Sequence, residues 1–469
     1  INKKALNEYL NFQLPLGEDT LLDAIKALPP AHTLTYSQQK SNFTIKKFWD
    51  VSYDIDNNIS EIDARQTFKN LLNDSIGLHL NSDVPVGCYL SGGVDSTLIS
   101  VLAAEQQHDV VHSFHGKFTE YPGYDESIYA QSAADSSGQK LNILDIKSSD
   151  FLDNIKNVIY HLDFPVAGPG SFPQYMISKF ASQHVKVVLG GQGGDETFGG
   201  YARYMVGYLE QCLKSTISGN ESTLDIPFAS ILPNLKLLKE YTPLIKNVWS
   251  NGLFDDFTSR YFQLINRSSD FANEIHWDYF TDSDNHILID SFDRVFNASN
   301  VSNAGHINKM LHFDYKTLLP GLLQVEDRMS MAHGIESRVP FLEPKIAEFA
   351  ATLPPSIKFS DGKMKNILKT SFPTKIPDTI MNRTDKMGFT VPLQEWFAQY
   401  DCKKFLIETF SNSAGNNSEY LNYDAIINNI HMGNSKFSRK IWGLLSLELW
   451  QQNIQSLFLQ EQRGTHNEQ

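Results

Sequence analysis

Val86-Gly-Cys-Tyr-Leu-Ser-Gly-Gly-Val-Asp-Ser-Thr-Leu-Ile99 reads as a strand, a glycine turn and a helix in immediate succession. Val84, Val86, Cys88, Tyr89 and Leu90 supply the apolar strand. Gly92 and Gly93 permit a tight turn and close backbone approach. Ser96 opens an apolar helix that runs through Leu98, Ile99, Val101 and Leu102. Such a turn aims backbone N–H groups and a helix N-terminus at one point, which makes an anion site. Ser91 and Ser96 add hydroxyl donors, whereas Asp95 repels phosphate unless a divalent cation lies between them. A Walker loop is excluded because no lysine follows the glycines. Gly92-Gly93 does not fit the Gly-x-Gly-x-x-Gly dinucleotide fingerprint.

Working outward, Phe68, Leu71, Leu72 and Ile76 share one face of a helix that leads into this strand. Val110–Phe114 and Leu141–Ile146 are further short apolar runs, each separated from the next by helical stretches. Strand–helix alternation predicts an α/β fold with a doubly wound parallel sheet. Ligands in such sheets sit at the carboxyl ends of strands, where the Ser-Gly-Gly turn falls. Val185-Lys-Val-Val-Leu189 is a second buried strand and runs into Gly190-Gly-Gln-Gly-Gly-Asp-Glu-Thr-Phe-Gly-Gly-Tyr201. Glycines beside Asp195 and Glu196 at a strand end are read as more than packing. Asp95 and Asp195 are predicted to face one crevice and to hold Mg²⁺ against phosphates.

The chain has 469 residues, enough for about two to three domains. Its formal charge of −14 disfavours nonspecific binding to nucleic acid or anionic membranes. No apolar run reaches the ~18 residues of a membrane span. The lack of a signal peptide points to the cytoplasm. Cys88, Cys212 and Cys402 are too widely spaced for a zinc site or a disulfide framework.

Residues 1 to about 50 give a short helix around Ala5, Leu6, Tyr9 and Leu10, then a helix N-capped by Thr20 and stopped at Pro29-Pro30. Strand-like runs follow at His32–Tyr36 and Phe43–Trp49. This is too little to bury a core of its own. With Ile1 as first residue, it is read as the tail of a domain whose body lies upstream. Residues 55–61 read as a linker, 205–300 as a helical insert, Lys440–Leu459 as a packing helix and 460–469 as a frayed tail. In Asp314–Leu342, the charges of Glu326, Arg328, Glu336 and Arg338 are expected to form an internal ion-pair network, while Asp314 is the candidate for catalysis. Lys386, beside Met387-Gly388, is the candidate cation.

Ser91-Gly-Gly-Val-Asp-Ser96 resembles the PP-loop of ATP pyrophosphatases, which cleave ATP to AMP and pyrophosphate. Together with Gly190–Tyr201, Glu326–Phe341 and Lys386-Met-Gly-Phe389, in that order, it makes the chain resemble the synthetase domain of glutamine-hydrolysing asparagine synthetases. The resemblance covers roughly residues 55–455. It implies a PP-loop-type sheet with a large helical part over 55–459, preceded in 1–54 by a remnant of a glutaminase-like α+β domain. It also implies that a carboxylate, aspartate first, attacks the α-phosphate of ATP to give an acyl-adenylate that ammonia from glutamine then converts to an amide. By the same carry-over, Ser91, Gly92, Gly93, Asp95 and Ser96 hold pyrophosphate, and Asp95 and Asp195 hold Mg²⁺. Leu90, Gly116, Gly190 and Gly191 line adenine and ribose, and Lys386 neutralises the transferring phosphates. The resemblance allows a homodimer.

Two positions depart from the family. Gln192 stands where asparagine synthetases usually carry a glutamate that takes a proton from ammonia, and glutamine cannot act as a base. Asp314 or Glu196 is then expected to supply it. The N-terminal cysteine nucleophile of the glutaminase is absent, residue 1 being Ile. Other readings are adenylation of a different acid (a sugar uronate, or a substrate that closes a ring on its own amine) and a nucleotide-binding module without turnover.

Overall fold

The computed structural model describes residues 1–166, 168–218, 242–250, 252, 256–302, 304–360, 363–383, 391–414, 418–433 and 437–466. Helix α1 (Lys3–Phe12) is capped by Asn2, whose side chain accepts from the Ala5 amide. It leads to an antiparallel hairpin of β1 (His32–Ser37) and β2 (Asn42–Lys47). Helix α2 (Glu61–Leu80) follows, with Ser60 as N-cap. Strand β3 (Val86–Tyr89) then begins an alternation: α3 (Val94–Gln106), β4 (His112–Lys117), α4 (Ser127–Ser136), β5 (Lys140–Asp145), α5 (Ser148–His161), α6 (Ser171–Ala181) and β6 (Val187–Leu189). The short helix α7 (Gly194–Phe198) and the longer α8 (Ala202–Ser218) come next. Further helices, Leu318–Met331 among them, precede the last strand, β7 (Glu336–Arg338).

The five strands β3–β7 form one parallel sheet in the order β5-β4-β3-β6-β7. From β3 the chain builds outward through β4 to β5, then crosses to β6 on the other side. The switch point is therefore between β3 and β6, and a crevice opens there at the carboxyl ends of the strands. Helices α2, α3 and α4 cover one face, where Phe68, Leu72 and Ile76 of α2 are fully buried with Leu98, Ile99 and Leu102 of α3. Burial of each such side chain contributes about 1.5–3 kcal/mol. The other face is covered by α6 and helix Leu318–Met331, against which the largest core cluster gathers, including Phe151, Phe172, Trp396 and Trp442. The expected α/β doubly wound sheet is what the chain forms. Among the described residues, no helix is long and apolar enough to cross a membrane.

Several expectations need correction. Thr20 caps no helix: its hydroxyl hydrogen-bonds the Leu22 and Ile25 carbonyls in an irregular loop closed by an Asp19–Lys26 bridge. Serine and threonine hydroxyls compete with helix in this way. Helix α1 packs into the large core, with Ala5, Leu6, Tyr9 and Leu10 buried and the Tyr9 hydroxyl donating to the Gly443 carbonyl at 2.8 Å. The last helix, Phe437–His466, runs past residue 460, so the 460–466 stretch is helix, not frayed tail. The hairpin does stand outside the core: Leu34, Tyr36, Phe43 and Ile45 are exposed, and two strands alone are marginal in water. The insert is helical where described, in α8, Thr242–Trp249, Phe257–Ile265 and Asp282–Phe296; residues 219–241 lie outside the described residues.

Candidate active site

The turn after β3 continues the sheet for one residue, the Leu90 amide donating to the Phe114 carbonyl at 2.9 Å. At Gly92 the backbone takes φ +74°, and a Cβ there would lie 2.5 Å from Tyr129 Cβ, so only glycine fits. Gly93 is the N-cap of α3 and offers no side-chain cap, which leaves the first-turn amides of that helix for a ligand. The Ser91 and Ser96 hydroxyls lie 2.9 Å apart, and Ser96 Oγ also accepts from the Ser91 amide.

The turn after β6 lies directly against this one. A Cβ on Gly191 would lie 2.9 Å from the Ser96 amide nitrogen, and one on Gly194 would lie 2.7 Å from Asp95 Oδ1. Close approach of the two loops thus explains Gly191 and Gly194 through packing, alongside their place at a strand end. The approach brings Asp195 to Asp95. Between them stands Lys365, which no motif in the sequence marks. Its ammonium is 2.5 Å from Asp195 Oδ1 and also hydrogen-bonds Asp95 Oδ2. Burial works against this charge, but the pull of Asp195 and Asp95 overrides it and holds the lysine above its ordinary range. Lys365 was not legible because Lys363, Lys365 and Lys369 look alike in a polar stretch.

The loops open into a cavity of about 300 Å³. It is lined by Leu90, Ser91, Asp95, Ser96, Gly116, Gly190, Gly191, Gln192 and Asp195, and also by Tyr124, Glu126, Tyr201 and Glu326. Nine of the candidate residues therefore meet at one site. Gly92 and Gly93 lie in the turn behind it. Lys386 lies outside the described residues. The carboxylate pair fits Mg²⁺ in donor chemistry, being hard oxygen ligands that phosphate oxygens and water would complete. No cluster of three or more protein ligands stands ready among the described residues.

The two residues expected to replace the missing base are placed differently. Asp314 is absent from the cavity wall. Its carboxylate takes hydrogen bonds from Arg203 Nε (3.0 Å) and Nη2 (2.6 Å), from the Tyr204 hydroxyl, and from Tyr261 at 3.4 Å. That is a buried ion pair bracing α8. Glu196 is also off the wall, with the Tyr201 hydroxyl donating to it. Burial, then the charge of Asp195, pushes its carboxyl up to about 7.

The expected ion-pair network around Glu326 does not form. Arg328 pairs at the surface with Asp163 (2.6 Å) and Asp327 (2.8 Å), and Arg338 pairs with exposed Glu336 at 2.7 Å. Residues two apart on a helix point to different sides, so Glu326 and Arg328 cannot share a partner. Glu326 turns inward instead. Ser337 Oγ donates to its Oε1 at 2.7 Å, and Gln192 Nε2 donates to its Oε2 at 3.4 Å. Burial raises its carboxyl, against the lowering effect of these two hydrogen bonds. Its place at an apolar helix position marks it in the sequence, but its partners are neutral side chains rather than cations.

The parallel sheet and its two glycine loops fit the synthetase domain of PP-loop type. A family model described as asparagine synthase matches residues 67–452. The chain belongs to that family and is an asparagine synthase-like ligase. It is 27% identical to asparagine synthetase [glutamine-hydrolyzing] 1 of Bacillus subtilis, over 98% of this chain and 71% of that protein. Asparagine synthetase [glutamine-hydrolyzing] 3 of the same organism is 22% identical over 80% of this chain and 57% of its own length. A protein named amidase chyE from Penicillium rubens is 24% identical over 80% of this chain and 60% of its own.

Proposed function

We propose that the chain forms an amide from a carboxylic acid and ammonia, with ATP cleaved to AMP and pyrophosphate by way of an acyl-adenylate. The observation that carries this reading is the meeting of Asp95 and Asp195 around Lys365 beside an uncapped helix N-terminus. The protein is net negative, so an anionic leaving group needs a locally built cationic patch. The α3 amides and the Ser91 and Ser96 hydroxyls would supply donors for pyrophosphate, and Lys386 is assigned to the transferring phosphates. Asp95 and Asp195 would hold Mg²⁺, which supplies further charge neutralisation. Leu90, Gly116, Gly190 and Gly191 would receive the adenosine.

Aspartate is the first acid to try, and ammonia is assigned to a glutaminase domain upstream of the exposed hairpin. A second reading, amidation of another acid or ring closure on an internal amine, is favoured by Gln192 at the position where asparagine synthetases usually carry glutamate. Acid-dependent exchange of labelled pyrophosphate into ATP, run across aspartate, uronates and amino-bearing acids, tests the proposal. Exchange with aspartate supports the first reading and exchange with another acid alone supports the second. No exchange with any acid overturns both.

A further inference from the structure

The amidation reading leaves one proton without a destination. The attacking nitrogen must lose one, and Gln192 cannot take it. We propose that Glu326 is the group that accepts it, with Gln192 acting as the donor that aims it. This inference rests on the amidation reading.

Four observations support the assignment. Glu326 lines the same cavity as Ser91, Asp95 and Gln192. It is buried, yet among the described residues it forms no ion pair, whereas Asp95 and Asp195 share Lys365, Glu126 pairs with Arg383, and Asp314 pairs with Arg203. A buried carboxylate held without a cation is costly, and the cost is met only in part by Ser337 and Gln192. Finally, the end of β6 is cleared for it: a Cβ on Gly190 would lie 2.8 Å from Glu326 Oε1. The charge of Glu326 is felt by the buried Tyr89 hydroxyl, which is hydrogen-bonded to Ser178.

The step balances as follows. The nitrogen lone pair bonds to the acyl carbon, and the carbonyl pair moves onto oxygen. One N–H proton passes to the Glu326 carboxylate. The carbonyl re-forms as the bond from the acyl carbon to the phosphate oxygen breaks, its pair leaving on AMP. The products are amide, AMP and a proton that Glu326 later gives to water. Burial suits this role, because it brings the carboxyl closer to the proton affinity a base needs near neutral pH.

The test separates the two half-reactions in the whole chain supplied with ammonium salts. Glu326→Gln should keep acid-dependent pyrophosphate–ATP exchange within about threefold while amide formation falls at least about a hundredfold. Adding Gln192→Glu to Glu326→Gln should recover at least tenfold of the lost amide formation, by returning a carboxylate to the same spot. Amide formation by Glu326→Gln within threefold of the unsubstituted protein overturns the assignment. So does an equal fall in both half-reactions with no recovery in the double variant. Absence of exchange in the unsubstituted protein with every acid removes the amidation reading itself, a result distinct from failure at Glu326 alone.

Discussion

Asp95 and Asp195, a hundred residues apart in the chain, hold the same ammonium: Lys365 Nζ is 2.5 Å from Asp195 Oδ1 and bonds Asp95 from its other side. One carboxylate begins α3 after β3, and the other begins α7 after β6. Their meeting is a direct consequence of β3 and β6 being neighbours at the switch point of the sheet.

Lys365→Met should remove the only side chain seen between these two carboxylates among the described residues. Breaking a buried pair in this way costs about 3–5 kcal/mol. Urea unfolding should show a loss of that order, with Lys365→Arg losing less. Equal stability in Lys365→Met would mean that the lysine does not hold the loops together.

Lys358 is fully enclosed, and burial lowers its amine to about 7. The unfolded chain binds this proton up to its ordinary 10.5, so between pH 7 and 10.5 the unfolded state holds more protons and stability rises with pH. Lys358→Met should therefore be more stable than the parent at pH 7, by on the order of a few kcal/mol. The gain should shrink towards pH 10, and thermal melts at both pH values check this.

Gln192→Glu alone should change the rate of amide formation or the preference among acids, because residue 192 lies on the cavity wall against Glu326. Steady-state comparison across the acid panel reads this out. Unchanged rate and preference would take position 192 out of the active site.

Asp314→Asn should act on stability rather than chemistry. It leaves half-buried Arg203 beside a neutral amide, a loss of at most about 3–5 kcal/mol. Exchange per folded molecule should be retained. A specific loss of exchange with stability intact would show that Asp314 takes part in the chemistry.

The sheet was legible because short apolar runs lie at or beside β3, β4, β5 and β6, set between helical periods. Strand β7 was not, since Glu336-Ser-Arg338 is a polar edge of three residues that only tertiary pairing makes a strand. At the site, the loops announced themselves through glycine and aspartate at strand ends. Lys365 and Glu326 did not, for a shared reason: each is defined by what it meets from a distant segment. Lys365 meets Asp95 from 270 positions away, and Glu326 meets Gln192 from 134. Local spacing carries no trace of such partners. Thr20 shows the converse error, where a good local cap signal lost to hydroxyl bonds within a loop.

The central claim is that the bound carboxylate becomes joined to AMP. The most direct measurement uses a carboxylate labelled with ¹⁸O, aspartate first and then the other acids, with ATP, magnesium and ammonium. One labelled oxygen should pass from the acid to AMP as amide forms. Label in inorganic phosphate with ADP as the nucleotide product, or no nucleotide cleavage with any acid, would contradict it.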